Sequence, residues 1–263
     1  MTLAGPRLTA VGSGKGGTGK TFIALTLAQA FADLGERVLL CDADLGLSNT
    51  AVHLGLAKSG DLPGYLSGRT PLKAATAAVE AAGHAKFDLL AAPAGTGFLG
   101  DADKATVERL GGLLRHVPCY DRVIVDLGAG IGEAVLTLAA VSDDVVTVMT
   151  PDPAALTDAY AFIKLVLKRT GGRAPGIVVN MATNAAEAKR TADALTTSAR
   201  SFLKATPAYL GFVPADMRVV EALRRQTSLW VACPQSPVLS AVMGLTALLG
   251  GQSNRIQATG SLR

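Results

Sequence analysis

Aromatic side chains are scarce in this sequence, at 5% of its residues, and only three cysteines occur, Cys41, Cys119 and Cys233. The cysteines lie far apart and form no C-x-x-C pair, which argues against a zinc site or a disulfide framework and fits a reduced, cytoplasmic setting. Long apolar runs are missing too. The longest largely apolar stretch, Val238 to Leu249, falls short of the ~20 residues that a membrane-spanning helix requires. The opening residues MTLAGPRLTAV lack the charged-then-apolar pattern of a secretion signal, so a soluble protein is expected. Charge is absent altogether from Gln226 to Asn254.

What is abundant is small and apolar. Nearly half of the residues, 49%, are hydrophobic, which excludes disorder and suits a buried parallel sheet covered by Ala- and Leu-rich helices. The formal net charge of +4 and the isoelectric point near 9.0 permit contact with nucleic acid or anionic lipid without demanding it. An ordinary solvated surface is the simpler reading. The 263 residues fit one large α/β domain, with a core from about 8 to 249 and a flexible tail over 250–263.

The stretch Val11 to Thr21, VGSGKGGTGKT, organises the rest. Gly14-Lys15-Gly16-Gly17-Thr18-Gly19-Lys20-Thr21 satisfies the spacing G-x-x-x-x-G-K-[ST] between an apolar run, Leu8 to Val11, and a helical run beginning at Thr21. Glycines let the backbone turn its N–H groups onto phosphate oxygens, and the helix that follows adds the positive end of its dipole. Lys20 is placed to reach the outer phosphates, and the Thr21 hydroxyl to ligate Mg2+. Lys15 occupies a position that the plain motif leaves free. So close to the phosphates it would crowd Lys20 unless it points away, toward a nucleotide on a facing subunit.

Along the chain, apolar strands alternate with helices. Thr21 to Leu34 predicts a helix ended by Gly35 in a left-handed cap, and Arg37 to Asp42 a buried strand. His53 to Ala85 reads as a connecting excursion containing an Ala-rich helix from about Pro71 to Ala82. Phe87 to Ala92 predicts a strand, Asp101 to His116 an amphipathic helix, and Tyr120 to Asp126 another buried strand. Helices follow at Glu133 to Ala140, Ala154 to Arg169 and Asn184 to Leu203. Strands are expected at Asp144 to Thr150, Gly176 to Asn180 and Tyr209 to Val213, and a last helix at Pro237 to Leu249. The alternation predicts a doubly wound, mostly parallel sheet with helices on both faces.

Carboxylates fall where such a sheet holds ligands, at strand carboxyl ends. The carboxyl end of the second strand delivers Asp42 and Asp44, each free to have its own task. Asp126 closes an apolar run and is followed by a glycine-rich turn. Asn180 ends a strand at the same edge, where its amide can offer a donor and an acceptor to a base, or serve as a turn residue. Pro214 and Asp216 follow the last strand. Arg218, Arg224 and Arg225 fall roughly on one helical side, the pattern of a solvated face.

With these residues in view, KGGTGKT resembles the MinD/ParA group of P-loop ATPases. The strings Asp42-Ala43-Asp44-Leu45-Gly46-Leu47-Ser48-Asn49, Asp126-Leu127-Gly128-Ala129-Gly130-Ile131 and Thr150-Pro151-Asp152-Pro153 through Tyr160 are similar to its flagellar-number branch, called FlhG or FleN. The resemblance implies an ATPase of weak intrinsic activity that uses ATP, ADP and Mg2+ and forms a homodimer when ATP-bound. It implies catalytic roles for Lys15, Lys20 and Asp44. Nucleotide would be bound by Gly14 through Thr21 with Asn180, Pro214 and Asp216, and metal by Thr21, Asp42 and Asp126. Asn49 would lie near the dimer face. Leu127 and Met181 depart from the polar residue and the arginine common in relatives. The implied output is control of the number or placement of flagella through a regulator or cargo adaptor, such as an FlhF-like GTPase or a flagellar component. The expected location is cytoplasmic, with recruitment to a cell pole or membrane-associated complex through partners. The tail lacks a basic amphipathic helix, which argues against membrane docking. A DNA-binding ParA ATPase for segregation of chromosome, plasmid or other cargo is the alternative. An iron–sulfur relative is set aside because Cys41 lies within a strand and Cys119 before one.

Overall fold

The computed structural model of the chain describes residues 5–44, 50–93 and 102–259, with side chains described through residue 250. The elements run β1 (Arg7–Ser13), α1 (Lys20–Asp33), β2 (Val38–Ala43), α2 (Thr50–His53), α3 (Leu62–Leu66), α4 (Leu72–Ala75), β3 (Ala77–Val79) and β4 (Phe87–Leu90). Then come α5 (Lys104–Leu114), β5 (Arg122–Ala129), α6 (Glu133–Val141), β6 (Asp144–Met149), α7 (Pro153–Arg169) and β7 (Gly176–Ala182). The last elements are α8 (Ala185–Ser198) with a π-helical turn at Ala199–Leu203, β8 (Tyr209–Pro214), α9 (Met217–Arg224), α10 (Leu229–Ala232) and α11 (Pro237–Thr259).

The eight strands form one sheet in the order β3-β4-β2-β5-β1-β6-β7-β8. Every neighbouring pair is parallel except β3 with β4. Strands β2 and β6 are buried along their whole length, which their near-continuous apolar sequences foretell. One face is covered by α1 and α11, through Ile23, Leu27 and Phe31 against Val238, Val242 and Leu245. The other is covered by α5, α6 and α7, through Leu110, Leu114, Leu136 and Phe162. The doubly wound, mostly parallel sheet expected from the alternation is thus present. From β1 the chain winds toward one edge, and from β5 it crosses to the other. The carboxyl ends of β1, β2 and β5 therefore flank the crevice where open sheets hold ligands.

Local predictions hold where packing and propensity agree. Helix α1 ends as read: Gly35 takes a φ of 91° and its N–H donates to the Ala32 carbonyl at 2.9 Å. The Ala-rich segment from Pro71 to Ala82 departs from expectation. Only one turn, α4, is helical there; Thr76 turns extended and Ala77 to Val79 pair antiparallel with Leu89 to Phe87 at the sheet edge. Alanine's helical preference is a weak prior, and the open edge of β4 offers this backbone a full set of partners. Strand β5 also runs three residues beyond Asp126, so Leu127 and Gly128 belong to the sheet rather than to a turn. Helix α5 starts later than read, at Lys104, capped by Asp103 accepting from the Thr106 N–H at 2.8 Å; Asp101 lies outside the described residues.

Phe162 joins α7 to the strand that carries the loop. Its ring tip lies 2.7 Å from where a Cβ on Gly12 would sit, and the residue is 0% exposed. Phe162→Ala is expected to lower the unfolding free energy by about 3–5 kcal/mol. The measurement is a urea midpoint that falls with an unchanged slope.

Candidate functional site

The loop after β1 is shaped from both sides. At its entry the Ser13 hydroxyl donates to the Lys15 carbonyl at 2.7 Å. A Cβ on Gly14 would come within 2.0 Å of the Asp158 carbonyl oxygen, so only glycine lets the loop rest on the backbone of α7. At its exit Gly19 has a φ of 83°, and a Cβ there would meet the Asn180 amide nitrogen at 2.3 Å. That same nitrogen donates to the Thr18 carbonyl at 2.8 Å. Beyond Gly19, α1 opens with no side-chain cap and no acidic residue in its first turn. Its leading N–H groups and the positive end of its dipole are left for an anion, as a phosphate cradle requires.

Three carboxylates gather beside this cradle. Asp42 and Asp126 stand opposite one another in the parallel register of β2 and β5. A continued strand would put Asp42 and Asp44 on the same face. Instead β2 ends at Ala43, and the Asp42 carboxylate accepts from the backbone N–H of Asp44 at 3.1 Å and of Thr50 at 3.3 Å. Lys20, almost wholly buried, holds its ammonium 3.9 Å from the Asp44 carboxylate.

Asp126 is the unusual member. It is 1% exposed, and neither carboxylate oxygen has a hydrogen-bond partner of good geometry, although the Thr21 hydroxyl stands near. Burial, and then the charge of Asp42, push its pKa up to about 8, against the pull of Lys20 and Thr21. The buried hydroxyls of Thr18 and Thr50 are also without partners. Among the described residues no group of three or more His, Cys, Asp or Glu is arranged as a ready-made metal cage. That donor set fits Mg2+, which keeps most of its waters and completes its octahedron with phosphate oxygens and one or two protein groups.

Lys15 points elsewhere. Its ammonium lies 2.9 Å from the carboxylate of Asp152, 137 residues away. Asp152 caps α7 by accepting from the Ala155 N–H at 2.8 Å, and it also accepts from the Thr150 hydroxyl. The Thr150 and Lys15 contacts, in that order, hold its carboxyl well below the usual carboxylate range. The string from Thr150 to Tyr160 was legible only as a family marker; in space it receives Lys15 at one end and supports Gly14 at the other.

At the far side, Pro214 ends β8 and Asp216 caps α9, accepting from the Arg218 N–H at 3.0 Å. The Asp216 carboxylate also pairs with the Arg218 guanidinium and accepts from the Ser236 hydroxyl at 2.6 Å; these contacts, Arg218 foremost, lower its pKa to about 2. Arg218, read as part of a solvated face, is thus bound to the loop. Met181, exposed and with a φ of 58°, stands next to Gly19. Leu127 is fully buried and packs toward Gly12, so this side chain makes a core contact. Asn49 lies outside the described residues.

The Asp126 environment sets a pH dependence in the absence of Mg2+ and nucleotide. Between its ordinary value of 3.8 and about 8, the folded protein keeps the Asp126 proton while the unfolded chain releases it. The unfolded state then binds fewer protons, so stability falls as pH rises through that window. Urea unfolding across the window is expected to show this decline in the wild type and to show it removed in Asp126→Asn.

Residues 9–229 match the family described as the CobQ/CobB/MinD/ParA nucleotide binding domain. Antiactivator FleN of Pseudomonas aeruginosa is 34% identical, over 88% of this chain and 81% of its own length. The flagellum site-determining protein YlxH of Helicobacter pylori is 29% identical, over 92% of this chain and 81% of its own. Among solved structures, the Pyrococcus furiosus cell division ATPase MinD shares the fold with a TM-score of 0.76 at 22% identity, covering 94% of this chain and 99% of that one. A chain of the MinC:MinD cell division protein complex of Aquifex aeolicus superposes with a TM-score of 0.74 at 26% identity, covering 93% and 96%. The match over most of the length, on a loop, sheet edge and carboxylate set of the kind described, shows that the chain belongs to the CobQ/CobB/MinD/ParA nucleotide-binding family, near its FlhG/FleN branch.

Proposed function

We propose that this chain is an ATP-hydrolysing switch that dimerises on ATP and, through partners that recognise the dimer, controls the number or placement of flagella. The observation that carries the switch is the division of labour between two lysines on one loop. Lys20 lies inside, beside Asp44 and Asp126, whereas Lys15 is held away on α7 by Asp152. A lysine that is kept off its own phosphates is available to those of a facing subunit. The names of FleN and YlxH support the flagellar output.

Each residue then has a task. The N–H groups of Gly14 through Thr21 hold the phosphates, and Lys20 neutralises the outer ones. Asp44, just beyond the end of β2, orients the attacking water. Thr21, Asp42 and Asp126 are the residues that would hold Mg2+, which would supply positive charge against the phosphates. Asn180 and Pro214 border the base, Asn180 using its carbonyl oxygen while its nitrogen keeps the loop in place. Asp216 acts there by shaping the loop, since its carboxylate caps α9. Turnover is slow as long as Lys15 stays on Asp152, because the second cation is then missing from the transferring phosphoryl group. The partner is a protein regulator or cargo adaptor, such as an FlhF-like GTPase or a flagellar component, and it draws the cytoplasmic protein to a pole. No helix among the described residues is long and apolar enough to cross a membrane. Arg218 and Arg225 are ion-paired with Asp216 and Glu221, which weakens a DNA-binding reading of α9.

Size-exclusion chromatography with light scattering tests the switch. Asp44→Ala is expected to be a monomer with ADP and a dimer with ATP, and Lys15→Ala a monomer with both. Asp152→Ala is expected to dimerise with ATP at a protein concentration a few-fold lower, because an exposed ion pair is weak. Asp44→Ala remaining monomeric with ATP refutes the proposal. ATP-dependent DNA retention that falls steeply with salt would instead support segregation, and flagellar counts in a deletion strain test the output.

A further inference from the structure

A cavity of about 280 Å³ lies away from the nucleotide edge. Its lining includes Phe22 and Leu25 of α1, Leu54 just after α2, Phe87 of β4, Leu223 of α9 and Trp230 of α10. Its size and mainly apolar walls are those of a small-ligand site rather than of a packing void. The walls that follow α2 and α9 touch where Gly55 faces the Gln226 carbonyl, and Gln226 holds a left-handed backbone with a φ of 52°. Non-glycine residues keep that conformation only when surroundings impose it, and such positions cluster at binding sites.

Two polar atoms in this lining are unexplained by the fold. The indole N–H of Trp230 and the Nδ1 of His53 are both buried and without a hydrogen-bond partner. Buried polar atoms are nearly always satisfied, and two orphans in the lining of one cavity call for a partner. Both residues line the cavity, and a turn of either ring about its broad terminal torsion changes the direction in which its nitrogen faces. An edge contact from His84, ring centroids 5.3 Å apart, packs against the indole. Burial lowers the pKa of His53, against the charge of Asp42, so its ring is neutral. Glu80 at the rim repels anions.

We infer that this cavity binds a small, neutral, largely aromatic molecule bearing an amide group. The amide carbonyl accepts from the Trp230 N–H. The amide also satisfies His53 in either tautomer, because it carries a donor as well as an acceptor. Three walls of the cavity lead back to the nucleotide edge, since α1 follows the loop, α2 follows Asp42 and Asp44, and α9 follows Asp216.

Trp230 is the sole tryptophan of the chain, so its fluorescence reports on this site alone. The full chain without nucleotide is titrated with benzamide, excited where benzamide does not absorb, with benzoate as the charged control. The nucleotide-free condition keeps the outcome independent of the ATPase reading. A saturable change is expected with a Kd of about 1 mM, the scale of a small fragment. Benzoate, His53→Phe and the cavity-filling Ala81→Leu should each weaken binding at least tenfold, with circular dichroism confirming that both variants fold. A linear, unsaturable response, or an equal response to benzoate or in both folded variants, overturns the inference. So does a cavity inert to benzamide but closed by a partner protein that shifts the Trp230 emission.

Discussion

The nucleotide edge depends on a clamp that works where side chains are missing. The loop after β1 lies between the Asp158 carbonyl of α7 and the Asn180 amide of β7, and each neighbour sits where a Cβ on Gly14 or Gly19 would be. Held in this way, the backbone N–H groups need no reorganisation to receive phosphate, which is the form in which positioning contributes to phosphoryl transfer. The clamp also explains why distant elements matter to the loop. Phe162 fixes α7 beneath Gly12, and the parallel pairing of β6 with β7 fixes Asn180.

Beside the clamp, Lys20 lies among more negative than positive charge. Its buried ammonium stands 3.9 Å from Asp44 and its charge acts on Asp126, which also feels Asp42 and is the carboxylate furthest from water. Desolvation and the repulsion of Asp42 give Asp126 two ways to rest: as a protonated acid, or as a carboxylate facing a divalent cation. Burial favours the first below a pH of about 8, and the second would follow if Asp126 holds Mg2+ as proposed. Binding of metal and loss of a proton would then be coupled at one side chain.

The parts that sequence made legible are those set by local rules. Buried parallel strands announce themselves as apolar runs, Gly35 as a helix stop, and the spacing from Gly14 to Thr21 as a phosphate loop. Carboxylates that close apolar runs, Asp42 and Asp126, were readable for the same reason. Edge strand β3 was not, because an Ala-Ala-Val segment has no pattern of its own and takes its form from β4. Nor was the core role of Leu127, since it follows Asp126 before a glycine and only the structure shows its packing toward Gly12. Asp216 is a nucleotide-binding residue by resemblance alone, and its capping of α9 could not be read from its string. The contact of Lys15 with Asp152 spans 137 residues and leaves no local trace in either string.

That last contact shows how magnitude decides a mechanism. Lys15 and Asp152 retain 32% and 45% side-chain exposure, so their attraction is screened and lies at about 0–1 kcal/mol. Such a pair is strong enough to keep a second ammonium from crowding Lys20, and too weak to compete with a polyphosphate presented by another subunit. A buried pair would have failed at the second task, because separating it would leave an uncompensated charge. The Asp152 carboxylate does not become an orphan when Lys15 departs, since the Ala155 N–H and the Thr150 hydroxyl still bond to it. The cap of α7 therefore survives the exchange, and with it the support that Asp158 gives to Gly14. A loop that gives up one of its lysines to a neighbour, as proposed, can do so without losing its own shape.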